Sequence, residues 1–137
     1  DDFTGAATQV GTTGSDTLTG TENNDVIFAG AGDDIINGIA DNDRASGGHG
    51  ADRFVISTDS EAVIIIDFSQ SEGDQIDLSA FDIFDFTTVQ NSTTDWGPGD
   101  HDAKITIDSD SVIYINNFSA QLLLSDDVIL HSDFMIS

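Results

Sequence analysis

A nine-residue period governs the first half of this chain. Five blocks follow one another without a gap from residue 11 to residue 55: GTTGSDTLT, GTENNDVIF, AGAGDDIIN, GIADNDRAS and GGHGADRFV. Position six is aspartate in all five (Asp16, Asp25, Asp34, Asp43, Asp52), and two residues later stands Leu18, Ile27, Ile36, Ala45 or Phe54. Position four is Gly14, Asn23, Gly32, Asp41 or Gly50, three residue types that tolerate positive φ better than others. Each block reads as a six-residue turn and a three-residue strand with one inward apolar side chain. Strands that short are stable only when stacked on neighbouring coils.

Two blocks make an 18-residue coil whose turns alternate between opposite edges. Asp16, Asp34 and Asp52 then fall in one column, and Asp25 and Asp43 in a second. Coils stack about 4.8 Å apart, so unneutralised carboxylates in a column repel one another. Charge sharpens the problem: 3 Lys and Arg stand against 26 Asp and Glu, a formal charge of −23. The acids are almost all Asp, a poor helix former but a good turn residue and metal ligand. Carboxylates and turn carbonyls at this spacing are hard oxygen donors of the kind that bind Ca²⁺.

The blocks resemble the RTX, or haemolysin-type, calcium-binding nonapeptide G-G-x-G-x-D-x-U-x. The resemblance implies an all-β parallel β-roll with Ca²⁺ between turns two blocks apart. Each ion takes the carbonyls of positions two and four plus the Asp of one turn, and those of positions one and three plus the Asp of the next. Carried onto this chain, one site comprises Thr12, Gly14, Asp16, Ala29, Ala31 and Asp34. A second comprises Thr21, Asn23, Asp25, Gly38, Ala40 and Asp43, and a third Gly30, Gly32, Asp34, Gly47, His49 and Asp52. Gly48 and Gly50, positions two and four of the last block, join the candidate ligands. Block four departs most from the pattern, lacking two glycines and placing small Ala45 in the core.

Past residue 55 the repeat stops. Glu61–Phe68 (EAVIIIDF) contains a continuous apolar run, as expected of a strand buried on both faces. With Ser71–Phe81 (SEGDQIDLSAF) it resembles the closure that follows the rolls of serralysin-type proteases and mannuronan epimerase repeat modules. In those families closing acids complete the last ion sites, which makes Asp67, Asp74 and Asp77 candidates. The resemblance thus implies three ions from the repeats and as many as six with the ends included. Ile83–Val89 reads as a strand and Asn91–Asp102 as an exposed loop carrying Trp96. The segments Lys104–Asp108 and Ser111–Ile115 alternate as a hairpin does, and Ser119–Leu123 reads as a short turn or helix. The terminal Asp133-Phe-Met-Ile-Ser137 resembles the uncleaved export signal of type I secretion substrates. The expected organisation is a lead-in or upstream linker over 1–10, a roll over 11–55 and a capping region over 56–137 that ends in that signal.

Several functions are excluded. Three cationic residues cannot serve a nucleic-acid interface, and no apolar run approaches the ~20 residues of a membrane span. Without cysteine there is no thiolate zinc site, disulfide or thiol nucleophile. His49, His101 and His131 form no H-E-x-x-H pair, and neither a G-x-S-x-G elbow nor a phosphate loop is present. The expectation is a non-catalytic, calcium-binding module of a larger secreted protein, extracellular after type I export, with the secretion machinery as partner. An alternative is a carbohydrate-binding module, for an alginate-like or neutral glycan, using the loop around Trp96.

Overall fold

In the computed structural model, described over residues 7–21, 24–39, 42–58, 61–81, 83, 85–96, 102–108, 111–116, 118, 123 and 127–130, every repeat block carries a short strand. Strands β1 (Ala7–Val10), β2 (Thr17–Thr19), β3 (Asp25–Phe28), β4 (Ile35–Ile39), β5 (Arg44–Ser46) and β6 (Arg53–Ile56) alternate between two sheets. They continue into β7 (Glu61–Ile65) and, past a 3₁₀ turn at Gln70–Glu72, β8 (Gln75–Asp77). Helix α1 (Phe86–Asn91), strands β9 (Thr93–Trp96), β10 (Asp102–Asp108) and β11 (Ser111–Ile115), and the two-residue β12 (Val128–Ile129) complete the described elements.

One sheet has the order β1-β3-β5-β7-β11-β10-β9, the other β12-β8-β6-β4-β2. The second sheet is parallel throughout. The first is parallel as far as β11 and then antiparallel through β10 and β9. The architecture is the parallel β-roll that the nine-residue period predicts.

Register puts the inward residue of each block on that of the block two away. Leu18, Ile36, Phe54, Ile76 and Val128 form one ladder. Ile27, Ala45, Ile65, Ile115 and Ala103 form the facing one. All but Leu18 and Val128 are fully buried, and Leu18 is half-buried on the first coil. Each fully buried Ile contributes about 1.5–3 kcal/mol, so the ladders bind coil to coil even though no strand here could stand alone. Phe68 ties roll to cap: its ring lies 6.4 Å from Phe54 and, edge to face, 5.3 Å from Phe118.

Four readings change. Ala7–Val10, expected to lie in a lead-in, is a strand of the first sheet. Ile83–Val89, read as a strand, gives way to α1. Asp85 caps this helix by accepting from Thr88 N–H and Thr88 Oγ1 (both 2.9 Å), and Val89 is buried one turn on from half-buried Phe86. Within Asn91–Asp102, read as a loop, Thr93–Trp96 is strand β9 on β10, a pairing that its polar sequence does not announce. Glu61–Ile65 is a strand whose Val63 and Ile65 are fully buried, while Ile64 is half-buried beside a groove of about 230 Å³ with Asp102, Tyr114 and Asn116. The hairpin of β10 and β11 forms as read, with its 109–110 turn outside the described residues. Residues 119–122, the start of the segment read as a turn or helix, also lie outside them, as does the terminal segment that resembles an export signal. Among the described residues no helix is long and apolar enough to cross a membrane.

Candidate metal centre

The turns between strands stack so closely that side chains are excluded from parts of them. Gly30 and Gly32 have φ of +98° and +100°, and Gly48 and Gly50 have +81° and +114°. A Cβ on Gly30 would lie 2.5 Å from the Thr12 carbonyl oxygen, and one on Gly32 would lie 2.7 Å from the Gly14 carbonyl. On Gly48 and Gly50 it would strike the carbonyls of Gly30 and Gly32. The glycines thus let the carbonyl-bearing turns of blocks one, three and five sit directly on one another.

A column of aspartates runs beside these turns. Asp16 N–H donates to Asp34 Oδ1 (2.7 Å), Asp34 N–H to Asp52 Oδ1 (2.9 Å) and Asp52 N–H to Asp74 Oδ1 (2.8 Å). The last step spans 22 residues instead of 18: β7 already sits 20 residues on from β5, and two more are added over the stretch holding the 3₁₀ turn. On the opposite edge Asp25 N–H donates to Asp43 Oδ1 (2.7 Å). There the column is short, since Ala7 pairs with Asp25 and the Ile64 N–H, following Val63, bonds to the Asp43 carbonyl.

The second carboxylate oxygens distinguish the turns. Asp16 Oδ2 accepts from Thr12 N–H (2.6 Å), Asp25 Oδ2 from Thr21 N–H (2.5 Å) and Asp74 Oδ2 from Ser69 N–H (2.8 Å). Asp34 Oδ2 and Asp52 Oδ2 are buried and have no hydrogen-bond partner. A buried carboxylate oxygen in that condition carries a large desolvation penalty. Burial accordingly pushes the Asp34 carboxyl up, opposed by the Asp16 N–H and aided by the charges of Asp16 and Asp33. Burial pushes Asp52 up to about 7, against the Asp34 N–H and with the charges of Asp74, Asp34 and Asp67. Asp74 rises to about 6 for the same leading reason. A cation with hard-oxygen preference removes this penalty. The third candidate set, with Asp34 and Asp52 facing stacked Gly30, Gly32, Gly47 and His49, fits such an ion on that observation.

Among the described residues no three His, Asp or Glu side chains converge. An ion here would take much of its coordination from backbone carbonyls. The first set is brought together as well: Thr12, Gly14 and Asp16 stack on the turn containing Ala29, Ala31 and Asp34. In the second set Thr21 and Asp25 share a turn and Asp43 joins them, but Asn23 and Ala40 lie outside the described residues. Gly38 sits within β4, because Ile39 is drawn wholly into the core and extends the strand through the start of block four. His49 is exposed; its backbone bridges Ala31 and its Nδ1 lies 3.6 Å from Glu72.

The three closing acids separate. Asp74 extends the long column. Asp77 does not: its Oδ1 accepts from Ser79 N–H and Oγ (2.9 and 2.6 Å), and its Oδ2 pairs with Arg53 (3.3 Å). Asp67 accepts from Gly47 N–H and Gly48 N–H (both 2.9 Å) and from Ser46 Oγ (2.6 Å). Sequence reasoning missed Glu72, which accepts from Gly50 N–H (3.1 Å), and Asp33, which accepts from Ala51 N–H (2.8 Å). Asp33 lies at a block position with no fixed residue and Glu72 beyond the repeat, so no periodic signal marks either.

The family model of the RTX calcium-binding nonapeptide repeat matches residues 10–44, in four copies. Residues 10–44 are RTX repeats. RTX repeats imply Ca²⁺ binding. The fifth RTX-like block, 47–55, lies beyond the matched span, yet β6 stacks on β4 in the same way. Solved structures that share the fold include two solution structures of subunits of the Azotobacter vinelandii mannuronan C5-epimerase. The AlgE6R3 subunit is 24% identical with a TM-score of 0.68, over 90% of this chain and 78% of that one. The AlgE6R2 subunit is 21% identical with a TM-score of 0.61, over 91% of each chain. No curated protein sequence matches the chain.

Proposed function

We propose that this chain is a calcium-switched folding module of a larger exported protein, non-catalytic itself, that stays expanded inside the cell and folds on meeting extracellular Ca²⁺. The observation that carries the reading is the pair of buried, unpartnered oxygens, Asp34 Oδ2 and Asp52 Oδ2, in a continuous aspartate column. Without cations the column opposes the fold that the apolar ladders favour. Extracellular modules bind Ca²⁺ with dissociation constants of about 10⁻⁴–10⁻³ M, concentrations absent from cytoplasm. Each site filled at ten times its dissociation constant adds about 1.4 kcal/mol. Three of them add about 4 kcal/mol, a large share of the ~5–15 kcal/mol that holds a domain. Binding and folding are then one event, and the expanded state suits passage through a type I exporter. Residues Asp16, Asp34, Asp52 and Asp74 with their turn carbonyls would hold the ions of the long edge, and Asp25 with Asp43 one on the short edge.

The test is far-UV circular dichroism during Ca²⁺ titration of chelator-treated protein, with Mg²⁺ as control. A cooperative coil-to-β transition at submillimolar to millimolar Ca²⁺, absent with Mg²⁺, is expected. A fully folded, Ca²⁺-indifferent protein would overturn the reading. The fold shared with the epimerase subunits keeps glycan binding as an outcome to examine. All three cations are engaged, Arg53 with Asp77, Lys104 over the Tyr114 ring at 5.9 Å and Arg44 likewise partnered, which disfavours a polyanionic glycan.

A further inference from the structure

In three turns the Oδ2 atom of the turn's own aspartate is held by a backbone N–H near the start of the turn: Thr12 for Asp16, Thr21 for Asp25 and Ser69 for Asp74. Asp34 and Asp52 depart from this pattern, and in the fifth block the structure shows where the N–H groups go. Its Gly47 and Gly48 N–H groups point to Asp67, nineteen to twenty residues further along the chain, and Ser46 Oγ adds a third donor to the same carboxylate. Asp52 Oδ2 is packed against Gly47 and buried, but receives no hydrogen bond.

We infer that Asp67 is a positioning residue for the ion site at Asp52: by binding the turn's N–H groups it leaves Asp52 Oδ2 free for a cation, and it is not itself a ligand. This rests on the proposed function. Asp67 stands outside the column in which each aspartate N–H meets the Oδ1 of the next, and its carboxylate is held by donors from Ser46 to Gly48 at the start of the turn. Its charge adds to the negative field around Asp52 without entering the coordination sphere. Held by three hydrogen bonds, the carboxylate also fixes the Ser46–Gly48 entry to the turn, and with it the carbonyls of Gly47 and Gly48. Gly48 N–H is the counterpart of Thr12 N–H and Thr21 N–H, which in the first two blocks go to the block's own aspartate; here Asp67 takes it instead.

The test compares wild type, Asp67→Ala, Asp67→Asn and Ser46→Ala by isothermal titration with Ca²⁺, with native mass spectrometry counting bound ions. Charge-assisted hydrogen bonds contribute roughly twice what neutral ones do, so Asp67→Ala is expected to raise half-saturation by about tenfold with the ion count unchanged. Asp67→Asn, which keeps one acceptor, should recover part of the loss. Ser46→Ala, which leaves the carboxylate intact, should move half-saturation by about threefold and guards against an Asp67→Ala chain that does not fold. Loss of one ion per chain in Asp67→Ala, with the others unaffected, would make Asp67 a ligand and overturn the inference. Unchanged half-saturation in all three variants would overturn it too. Wild type that binds no Ca²⁺ at all would instead refute the proposed function, so the two failures are distinguishable.

Discussion

Asp52 is 2% exposed and has one oxygen with no partner, and its protonation state couples the fold to pH. The unfolded carboxyl titrates near 3.9, whereas in the fold Asp52 sits at about 7 and Asp74 at about 6. Protonation therefore favours the Ca²⁺-free fold. The contribution is fully present below about pH 4 and is lost as pH rises through about 6 and then about 7. Circular dichroism in Ca²⁺-free buffer is expected to show more β structure at pH 5 than at pH 8. Asp52→Asn should flatten that difference, gain about 1 kcal/mol of Ca²⁺-free stability at pH 8, and require more Ca²⁺ than wild type. A Ca²⁺-free protein equally structured at both values would contradict this account. Asp16, Asp34 and Asp52 were legible in the sequence because each occupies a fixed place in a repeat, and Asp74 because the segment around it resembles a known closure. What Asp67 and Asp77 do was not, since both are acids in an apolar closing segment. Only the fold shows that one faces two glycine N–H groups and the other an arginine.

At the scale of the element, identical letters have different consequences. Gly14 and Gly32 both hold position four of their blocks. A Cβ on Gly14 meets only Thr12 Oγ1 at 3.9 Å, while one on Gly32 meets the Gly14 carbonyl at 2.7 Å and must adopt φ of +100°. A left-handed conformation costs a non-glycine residue about 1–2 kcal/mol before any clash. Gly32→Ala is thus expected to raise the Ca²⁺ midpoint of folding by about tenfold or more, and Gly14→Ala to change it less than threefold, both read from the same titration. Equal effects would mean the turns do not stack as described. The stacked coils were legible from period and spacing, and the resemblance to RTX repeats implied the parallel β-roll. Helix α1 and strand β9 were not, because a six-residue helix is decided by its Asp85 cap and a polar strand by its partner β10. Neither leaves a periodic trace. Block four was readable as irregular, but not the cause: Ile39 fills the core and pulls Gly38 into a strand.

For the whole molecule, the balance lies between apolar ladders and a net charge of −23. A folded chain of this length has a radius of gyration of about 14 Å and an unfolded one about 38 Å. Small-angle scattering should move from near the larger value to near the smaller as Ca²⁺ is added. Addition of NaCl to the same ionic strength should compact the chain only partly, because screening weakens repulsion without supplying the missing ligands of Asp34 and Asp52. Full compaction by NaCl would reduce the role of Ca²⁺ to that of any salt. The direction of the strands has a further consequence. A stack built only of parallel coils ends in two edges that match each other, and such molecules are prone to join head to tail into filaments. Here the first sheet opens on β1 and closes on β9, whose partner β10 runs against β11. After two reversals β9 runs with β11 again, but among the described residues the first sheet has by then run two strands past the second, so a second copy arriving at β9 meets half a coil. Two strands laid down without partners in the facing sheet thereby give the stack a fixed length.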